Sequence, residues 1–458
     1  MTLTFDAILL GTGQANPALA ARLDAAGMRV AVIERKHFGG TCVNTGCMPT
    51  KTMVASAYAA HLARRAAEYG VSIGGEIAVD MRRVQKRAQA VAANSRGGVE
   101  RWMRGLKHGQ VFQGHGRLIA PDAVEVGDQR LTAPRIFLDV GGRAQAPKLP
   151  GLDSVPYLTN SSIMAVDFLP EHLLILGGSY VGLEFAQMFR RFGAKVTVVE
   201  RGARLLPRED PEVGEAVHQI LTDEGVQIET GGDCLAVEGA AGRVALSASC
   251  SGGQRRFEGS HLLLAAGRQP NTDDLGLDRA GVQLDGRGYI QVDEQCRSNV
   301  PGIWALGECN GRGAFTHTAY NDYEIVAASL FDEAPRRIAD RIPCYALFID
   351  PPLARIGLTE TEARKQGHSL LVGTRPMSRV GRAVERGETL GFIKIIVDAG
   401  SRRILGASIL GISGDEAIHC LLDCMYADRS YDTVARAVHI HPTVSELLPT
   451  VLQDLRPA

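Results

Sequence analysis

Residues 5–34 read FDAILLGTGQANPALAARLDAAGMRVAVIE. A short apolar run leads into Gly11-Thr12-Gly13, a pattern of helical period follows, and a second apolar run ends on Glu34. This order predicts a β-turn-α-β unit with an acidic residue about twenty positions after the glycines, which is typical of dinucleotide binding. The glycines would let a pyrophosphate approach the helix N-terminus, and Glu34 would accept hydrogen bonds from ribose hydroxyls. Asn16 stands where the pattern has its third glycine.

The same pattern recurs in the middle of the chain. Leu173–Leu176 leads into Gly177-Gly178-Ser179-Tyr180-Val181-Gly182, and a strand over Lys195–Val199 ends on Glu200. Ser179 replaces the second glycine of the pattern. Either copy alone could be a tight turn between a strand and a helix. Two copies, each ending on a glutamate, predict two dinucleotide sites.

Two cysteines lie close together in the segment GGTCVNTGCMPTK at residues 39–51. Cys42 and Cys47 would lie about 7.5 Å apart along the axis of an ideal helix, whereas a disulfide needs Cα atoms within about 6.8 Å. Gly46 and Pro49 tolerate or impose the local distortion that closure requires. A structural staple would gain little because the loop is short, and no second pair or histidine lies beside it for zinc. The segment therefore predicts a redox-active pair.

Length and charge limit the kind of protein. The chain has 458 residues, enough for roughly two to four domains. Fifty basic and 51 acidic residues leave a net charge of −1, so we expect no nucleic-acid or membrane partner. No apolar stretch reaches about 18 residues and no signal-peptide pattern follows Met1, which predicts a cytoplasmic protein. Nine cysteines are too sparse for a disulfide framework.

Further strand and helix patterns surround the two units. Ile136–Pro150 and Leu262–Pro270 are typical of strand-and-turn crossings between domains, and Gly302–Glu308 is typical of a buried strand that ends on an acid. Beyond about Arg341 the pattern predicts strands at Gly391–Val397 and Ile404–Leu410, and helices at Asp415–Tyr426 and Val444–Leu455. The change predicts a separate C-terminal α+β domain, in which Cys420 and Cys424 would be buried core or interface cysteines.

Taken together, these segments resemble the class I FAD-dependent pyridine nucleotide-disulfide oxidoreductases, the family of glutathione reductase, lipoamide dehydrogenase and mercuric reductase. The resemblance covers nearly the whole chain. Its most specific segments are GGTCVNTGCMPTK at 39–51, GGSYVGLEFA at 177–186, AAGRQPN at 265–271 and HIHPTVSE at 439–446. It implies an α/β fold with two Rossmann-like dinucleotide-binding domains and a C-terminal α+β dimerisation domain.

The resemblance also implies domain boundaries. Residues 1–150 and 271–340 would form the two segments of an FAD-binding domain, residues 151–270 an inserted NAD(P)-binding domain, and residues 341–458 the dimerisation (interface) domain. The partners implied are a small disulfide or thiol-reactive substrate and a second copy of the chain, in a homodimer with shared active sites.

Catalytic roles follow from the resemblance. Cys47 would be the thiolate next to the flavin, and Cys42 the thiol that exchanges with substrate. His441, held by Glu446, would be the acid/base and would reach the disulfide of the partner subunit. An imidazole with a pKa of about 6.5 can take and return the thiol proton. The catalytic residues implied are Cys42, Cys47, His441, Glu446, Lys51 and Glu184, and no metal site is implied.

The implied cofactors are FAD and NAD(P)H. Gly11, Gly13 and Glu34 would hold the FAD adenosine and pyrophosphate, and Gly177, Ser179, Tyr180, Gly182 and Glu200 would frame the nicotinamide cofactor. The other cofactor-binding residues implied are Gly40, Thr41, Lys51, Gly142, Arg201, Gly267, Gly307, Glu308, Thr316 and His317. Lys51 and Glu184 would pair near flavin N5, and the Tyr180 ring would cover the flavin until the nicotinamide displaces it. Glu308 stands where the family generally has an Asp that binds the FAD ribitol.

The expected function is therefore that of an NAD(P)H-dependent disulfide oxidoreductase. Electrons would pass from nicotinamide through FAD to a Cys42–Cys47 disulfide, and on to a disulfide or related thiol-reactive acceptor. Glu200 would repel a 2′-phosphate, which favours NADH. The arginines that follow could instead bind that phosphate, so NADPH stays open. They are Arg201, Arg204 and Arg208.

The sequence leaves three alternative functions open. Residues 208–217 resemble a segment of mercuric reductase, although that enzyme takes its metal from a C-terminal Cys pair and the tail LQDLRPA has no cysteine. Glu200 and His439 favour dihydrolipoamide dehydrogenase. A flavin-binding redox sensor without turnover is a third alternative, disfavoured because a sensor needs neither a thiol pair nor a histidine base. The physiological acceptor does not follow from the sequence.

Overall fold

The computed structural model describes residues 2–250 and 253–458, with the backbone alone of Cys234 and Leu235. Its strands are β1 Thr2–Thr4, β2 Ala7–Leu10, β3 Val30–Glu34, β4 Gly109–Gln113, β5 Gly116–Ala120, β6 Ala123–Val126, β7 Gln129–Thr132, β8 Ile136–Leu138, β9 Gly142–Ala144, β10 His172–Leu176, β11 Lys195–Glu200, β12 Gln227–Thr230, β13 Asp233–Ala240, β14 Arg243–Cys250, β15 Gly253–Gly259, β16 His261–Leu264, β17 Arg268–Pro270, β18 Ile303–Ala305, β19 Cys344–Leu347, β20 Leu353–Gly357, β21 Leu370–Pro376, β22 Phe392–Asp398, β23 Ile404–Leu410 and β24 Arg456–Pro457. Its α-helices are α1 Asn16–Ala25, α2 Gly40–Asn44, α3 Cys47–Arg64, α4 Met81–Arg104, α5 Tyr180–Phe192, α6 Pro211–Asp223, α7 Thr316–Phe331, α8 Glu360–Lys365, α9 Gly381–Glu385, α10 Gly414–Ala417, α11 His419–Tyr426, α12 Asp432–Ala435 and α13 Leu447–Gln453.

The first predicted unit lies in a parallel sheet with the order β18-β8-β2-β3-β4. All residues of β2 and β3 are buried, as expected for strands with both faces covered. Strand β18 follows the second unit in the chain but pairs with β8. Two separate segments of the chain therefore build one sheet.

The second unit forms its own parallel sheet, with the order β12-β11-β10-β16. Helix α5 packs its apolar face into the core beside this sheet, with Leu183, Phe185 and Phe189 buried. The two predicted crossing segments lie side by side, because β9 and β17 pair antiparallel. The chain thus leaves the first sheet and returns to it along one two-stranded ribbon.

The C-terminal region is built on an antiparallel sheet with the order β19-β20-β23-β22-β21-β24. The predicted strands at 391–397 and 404–410 are present as β22 and β23. The helix predicted over 415–426 is two shorter helices, α10 and α11, and the helix predicted from Val444 begins at Leu447. The turn before α13 is held by Thr443 Oγ1, which accepts from the Glu446 amide at 3.2 Å. No helix in the described ranges is long and apolar enough to cross a membrane.

Candidate active site

A cavity of about 1100 Å³ lies where the first glycine loop, the thiol segment, α5 and the C-terminal sheet meet. The predicted residues that line it are Gly11, Gly13, Glu34, Gly40, Thr41, Cys42, Cys47, Lys51, Tyr180, Glu184, Glu308, Thr316 and His317. The predicted residues that lie outside its lining are Gly142, Gly177, Ser179, Gly182, Glu200, Arg201, Gly267, Gly307, His441 and Glu446. The fold thus brings the thiols and the first loop together around one volume.

The thiol pair lies at a break between two helices. Cys42 belongs to α2 and Cys47 begins α3, while Gly46 between them has φ −127° and ψ −122°, outside the helical region. The predicted distortion is therefore located at Gly46. Pro49 lies in the first turn of α3, where its missing N–H has no helical acceptor, so it accommodates the helix start rather than distorting it.

The two sulfurs differ in their affinity for protons. Both cysteines are free thiols in this structure. A hydrogen bond from Cys42, a second from the Thr316 hydroxyl at 3.3 Å and the charge of Lys51 lower the pKa of Cys47 to about 6. The hydrogen bond to Cys47 and burial raise the pKa of the Cys42 thiol well above its usual range. At neutral pH the negative charge therefore resides on Cys47, and Cys42 keeps its proton.

Lys51 and Glu184 form an ion pair in the cavity wall. Lys51 Nζ donates to both carboxylate oxygens of Glu184, at 2.6 and 2.8 Å. The amide of Phe348 also donates to Glu184 at 2.9 Å, and Lys51 Nζ lies 4.7 Å from the centroid of the Phe348 ring. The ion pair places a positive charge near the Cys47 sulfur, and the predicted place of Lys51 and Glu184 near flavin N5 stays a prediction.

The N-terminus of α7 faces the thiols. Thr316 is the first residue of α7, and its hydroxyl is the one that contacts Cys47. The positive end of the helix dipole favours the thiolate at this position. His317 is held away from the sulfur, because its Nε2 donates to the Cys344 carbonyl at 2.7 Å and its ring stacks on Phe315 at 5.4 Å. Burial lowers the pKa of His317, which favours the neutral ring.

The first glycine loop has the shape that a dinucleotide requires. Gly11 has φ +84°, and a Cβ at either Gly11 or Gly13 would overlap Asp139. Glu34 accepts from the amide of Thr12 at 3.1 Å and from its hydroxyl at 2.6 Å. The backbone of Gly11, Thr12 and Gly13 therefore faces the cavity. Glu34 stabilises this turn through its hydrogen bonds to Thr12. This cradle fits an FAD pyrophosphate and adenosine.

Asp139 is a site residue that sequence reasoning missed. Its Oδ2 accepts from the amides of Ala15 and Asn16, both at 3.0 Å, at the start of α1. Burial, with further contributions from Asp322 and Glu34, raises its pKa to about 6. A signal for it existed in the sequence, since an acid directly after the apolar residues 136–138 falls at the carboxyl end of a parallel strand, where ligands bind.

Asn16 stands at the position of the third glycine of the pattern, and its side chain hydrogen-bonds to the loop. Its Nδ2 donates to the carbonyls of Leu10 and Gly11 at 3.2 and 2.9 Å, and lies 3.3 Å from that of Phe137. The side chain is buried. The departure from the glycine pattern is therefore part of the loop's construction.

Glu308 is committed to a neighbour inside the cavity wall. Arg268 donates to both of its oxygens, Nε at 2.5 Å and Nη2 at 2.7 Å. Gly142 packs directly against this carboxylate, because a Cβ there would lie 2.7 Å from Glu308 Cδ. Glu308 lines the cavity as predicted, and Arg268 was not foreseen as its partner.

The second glycine loop lies beside the cavity rather than in its lining. A Cβ at Gly177, which has φ +117°, would overlap the Ala265 carbonyl, and one at Gly182 would overlap the Gly177 carbonyl. Glu200 accepts from the amides of Gly178 and Gly202, both at 2.6 Å. Of the three arginines that follow, Arg204 is tied to the carbonyls of Pro207 and Glu209, and Arg201 and Arg208 are exposed.

His441 and Glu446 form the predicted pair, away from the thiols. The Nδ1–H of His441 donates to Glu446 Oε2 at 2.8 Å, and the imidazole side chain is 80% exposed. Its neighbours Val438 and Ile440 are also exposed, at 101% and 81%. Within one chain the described thiols therefore have no histidine base from this segment.

Comparison with known proteins places the whole chain. Residues 5–322 match the family model described as pyridine nucleotide-disulphide oxidoreductase, and residues 344–452 match the dimerisation domain of that family. The chain is 33% identical to the probable pyridine nucleotide-disulfide oxidoreductase RclA of Escherichia coli, over 97% of this chain and 98% of that one. It is 32% identical to a mercuric reductase of Streptomyces lividans, over 98% and 96% of the two chains.

A solved structure agrees with the sequence comparisons. The HOCl-induced flavoprotein disulfide reductase RclA from Escherichia coli superposes with a TM-score of 0.89 at 32% identity, covering 98% of this chain and 99% of that one. The predicted family, fold class, enzymatic nature and cofactors are therefore confirmed. This chain belongs to the pyridine nucleotide-disulphide oxidoreductase family and is an enzyme that uses FAD and NAD(P)H.

Proposed function

We propose that this enzyme reduces a small disulfide or a related thiol-reactive compound, and that Cys42 and Cys47 form its redox disulfide. The observation that carries the proposal is that Cys42 and Cys47 line the same cavity, with the Thr316 hydroxyl 3.3 Å from the Cys47 sulfur and Lys51 in the same lining. When bound, FAD supplies the transfer of two electrons from the nicotinamide to this sulfur pair. In the reduced pair, the Cys42 thiolate would attack one sulfur of a disulfide acceptor, forming a mixed disulfide and releasing the other half as a thiol. The Cys47 thiolate would then attack the Cys42 sulfur, which releases the second thiol and re-forms the Cys42–Cys47 disulfide.

The proposed cofactor residues are those of the sequence analysis, with additions from the structure. FAD would be held by Gly11, Gly13, Glu34, Gly40 and Thr41. Asp139 would position the first glycine loop through its hydrogen bonds to the amides of Ala15 and Asn16. Lys51 and Thr316 favour negative charge on Cys47 and on the reduced flavin, because a cation and a helix N-terminus both stabilise anions. The nicotinamide would enter beside Tyr180 and Glu184, which line the same cavity.

A homodimer with shared active sites is part of the proposal. The chain matches the family's dimerisation domain, and His441 is exposed beside two exposed apolar residues instead of lying near the thiols of its own chain. A second copy would bury this apolar segment and deliver His441 to Cys42. Glu446 would hold the Nδ1 proton, which leaves Nε2 free to take the proton of Cys42.

The proposed domain division follows the sheets. Strand β18 supports joining residues 271–340 to residues 1–150, and the separate sheets of β10 and β20 support units over 151–270 and 341–458. We also propose a cytoplasmic location, supported by the free thiols of the described cysteines. NADH is the proposed nucleotide because Glu200 would repel a 2′-phosphate, and the exposed Arg201 and Arg208 make NADPH the comparison to run.

A soft metal ion is the second candidate acceptor. Escherichia coli RclA has been solved as a Cu(II) complex, and mercuric reductases are among the relatives. Thiolates suit soft ions such as Hg(II), and they suit the Cu(I) that reduction of Cu(II) would give. Among the described residues no group of three or more His, Cys, Asp and Glu is placed to hold a metal, so the ion would meet the Cys42–Cys47 pair alone.

Anaerobic titration of the holoenzyme with NADH or NADPH tests the redox disulfide. We expect the wild type to consume about twice as much nucleotide as Cys42→Ser or Cys47→Ser, because only the wild type stores a second electron pair on sulfur. Cys420→Ser is the matched control and should behave as the wild type. Equal consumption by all variants would refute the disulfide.

Subunit complementation tests the shared site. Cys42→Ser and His441→Ala should each be inactive with a disulfide substrate, but their co-expression should restore about a quarter of wild-type activity, since half of the dimers are mixed and each mixed dimer has one intact site. No recovery would refute the shared site. The same assay, run with low-molecular-weight disulfides, hypothiocyanite, quinones, Hg(II) and Cu(II), then identifies the acceptor class.

A further inference from the structure

Glu209 is a buried carboxylate that the mechanism above does not use, and it lies behind Tyr180, Tyr345 and Arg355, which line the cavity. Its side chain is 1% exposed and lies in the segment between β11 and α6. Its Oε2 lies 3.4 Å from Nε of Arg355, which is also 1% exposed and belongs to β20. A buried carboxylate is costly unless it is paired and hydrogen-bonded, so the groups around Glu209 explain its presence.

Two tyrosines donate to one oxygen of this carboxylate. The hydroxyl of Tyr180 donates to Glu209 Oε1 at 2.7 Å, and that of Tyr345 donates to the same oxygen at 2.8 Å. Burial and the nearby charge of Glu209 raise the pKa of both phenols, that of Tyr345 to about 12. Both hydroxyls therefore stay protonated and remain donors at neutral pH.

The two tyrosines differ in their freedom to move. The Tyr345 ring stacks on Phe315 with centroids 5.5 Å apart and lies on β19, which is paired to β20. Tyr180 is the first residue of α5 and meets Tyr345 and Phe315 only edge-on, at 5.6 and 6.5 Å. Stacking and strand pairing therefore hold Tyr345 in place, whereas the Tyr180 ring has edge-on ring contacts and packs against the core beside α5.

We infer that Glu209 is a positioning residue that holds Tyr180 in its closed position, so that a nicotinamide entering the cavity must first break this hydrogen bond. The inference rests on the proposed function, and on the displacement of the Tyr180 ring by the nicotinamide that the family resemblance implies. Tyr345 keeps Glu209 Oε1 hydrogen-bonded after Tyr180 has left. The shared oxygen thus lowers the cost of opening, while the Tyr180 hydrogen bond favours closure.

This arrangement predicts opposite effects for two chemically identical substitutions. Tyr180→Phe removes the bond that favours closure, so the open form gains population and the apparent affinity for nicotinamide rises. Tyr345→Phe leaves Tyr180 as the sole tyrosine donor to Glu209 Oε1. When Tyr180 turns away, this buried charged oxygen loses its hydrogen bond, so opening costs more and the affinity for nicotinamide falls. If Glu209 only tied α5 to β19, both variants would bind the nicotinamide more weakly or with unchanged affinity.

The test measures the dissociation constant of NAD⁺ and of NADP⁺ for the oxidised holoenzyme by calorimetry. We expect Tyr180→Phe to lower the dissociation constant of the preferred nucleotide about tenfold, because hydrogen bonds to charged groups are among the stronger ones. Tyr345→Phe should raise it about threefold. Tyr58→Phe is the matched control, since the Tyr58 hydroxyl donates to Glu388 Oε1 at 2.5 Å outside the cavity lining, and it should change nothing.

Glu209→Gln adds a second variant. Its neutral oxygen is a weaker acceptor, so the dissociation constant should fall about threefold. Because this change leaves Arg355 buried without a counter-charge and the variant can fail to fold, the two tyrosine variants decide the question. Shifts of the same sign in both, or no shift in either, would overturn the inference while the wild type still reduces its disulfide. If neither NADH nor NADPH reduces the wild-type holoenzyme, the proposed function and this inference fall together.

Discussion

The two glycine loops share a sequence pattern and differ in how each helix begins. Helix α5 starts at Tyr180, three residues after Gly177, whereas α1 starts at Asn16, five residues after Gly11. In the second loop a Cβ at Gly182 would overlap the Gly177 carbonyl. In the first loop the corresponding carbonyl, that of Gly11, accepts a hydrogen bond from Asn16 at 2.9 Å.

The comparison shows that the third glycine is required only where the helix starts early and packs close to the preceding turn. The later start of α1 leaves space for a side chain at this position, and the side-chain amide group of Asn16 occupies that space. The amides of Ala15 and Asn16, at the N-terminus of α1, also donate to a carboxylate from elsewhere in the chain, that of Asp139. At α5 the residue before the helix, Ser179, makes no side-chain capping hydrogen bond.

The largest expected effect is at the close contact of the second loop. Gly182→Ala would push α5 away from the Gly177 carbonyl, and small displacements at a reacting site cost orders of magnitude in rate. We expect flavin reduction by the nicotinamide to slow about a thousandfold in stopped-flow measurements, while the flavin absorbance of the purified protein stays unchanged. An unchanged rate would mean that the second loop tolerates a side chain as the first loop does.

A smaller effect, on the free energy of unfolding, is expected at Asp139, which accepts hydrogen bonds from the amides at the start of α1. Its pKa is raised from 3.8 to about 6, so the folded state binds its proton more tightly than the unfolded state does. The free energy of unfolding therefore falls as the pH rises from about 4 to about 6, by roughly 3 kcal/mol, and stays level above that range. Asp139→Asn cannot ionise and should lack this fall.

Urea unfolding of the apoprotein at about pH 4.5 and about pH 7.5 measures the difference. Asp139→Asn should gain stability relative to the wild type at the higher pH. Asp322 and Glu34, which also raise the pKa of Asp139, remain in both proteins. The same stability difference at both pH values would show that the Asp139 carboxylate does not titrate in this range.

The smallest effect is expected from restoring the glycine pattern in the first loop. Asn16→Gly removes the donor to the carbonyls of Leu10 and Gly11 and adds backbone freedom at the first turn of α1. We expect the apoprotein to lose about 2 kcal/mol of unfolding free energy at neutral pH, measured by urea unfolding. A gain in stability would show that the first loop prefers a glycine as the second loop does.

Much of the fold was predictable because its signals are local. The β-turn-α-β units, the C-terminal change of pattern and the thiol segment each depend on residues within about thirty positions of one another. The pairing of Lys51 with Glu184 was expected only through the resemblance to a known family, and the contact of Thr316 with Cys47 was not expected, because the resemblance gave Thr316 a role only in cofactor binding. The ion pair of Glu308 with Arg268 was not expected, because the two residues are 40 positions apart in the chain and no local pattern links them.

The sequence by itself determined the two β-turn-α-β units, their glycine loops and the presence of two thiols close together in the chain, because steric preferences and apolar periodicity act over short stretches of chain. Only the tertiary structure decided that Thr316 contacts the Cys47 sulfur, that Asp139 lies under the first loop, and that Tyr180 and Tyr345 share one oxygen of Glu209. These properties depend on burial and on distances between residues far apart in sequence. Such distances are set by the order of strands in the sheets, which no local pattern records.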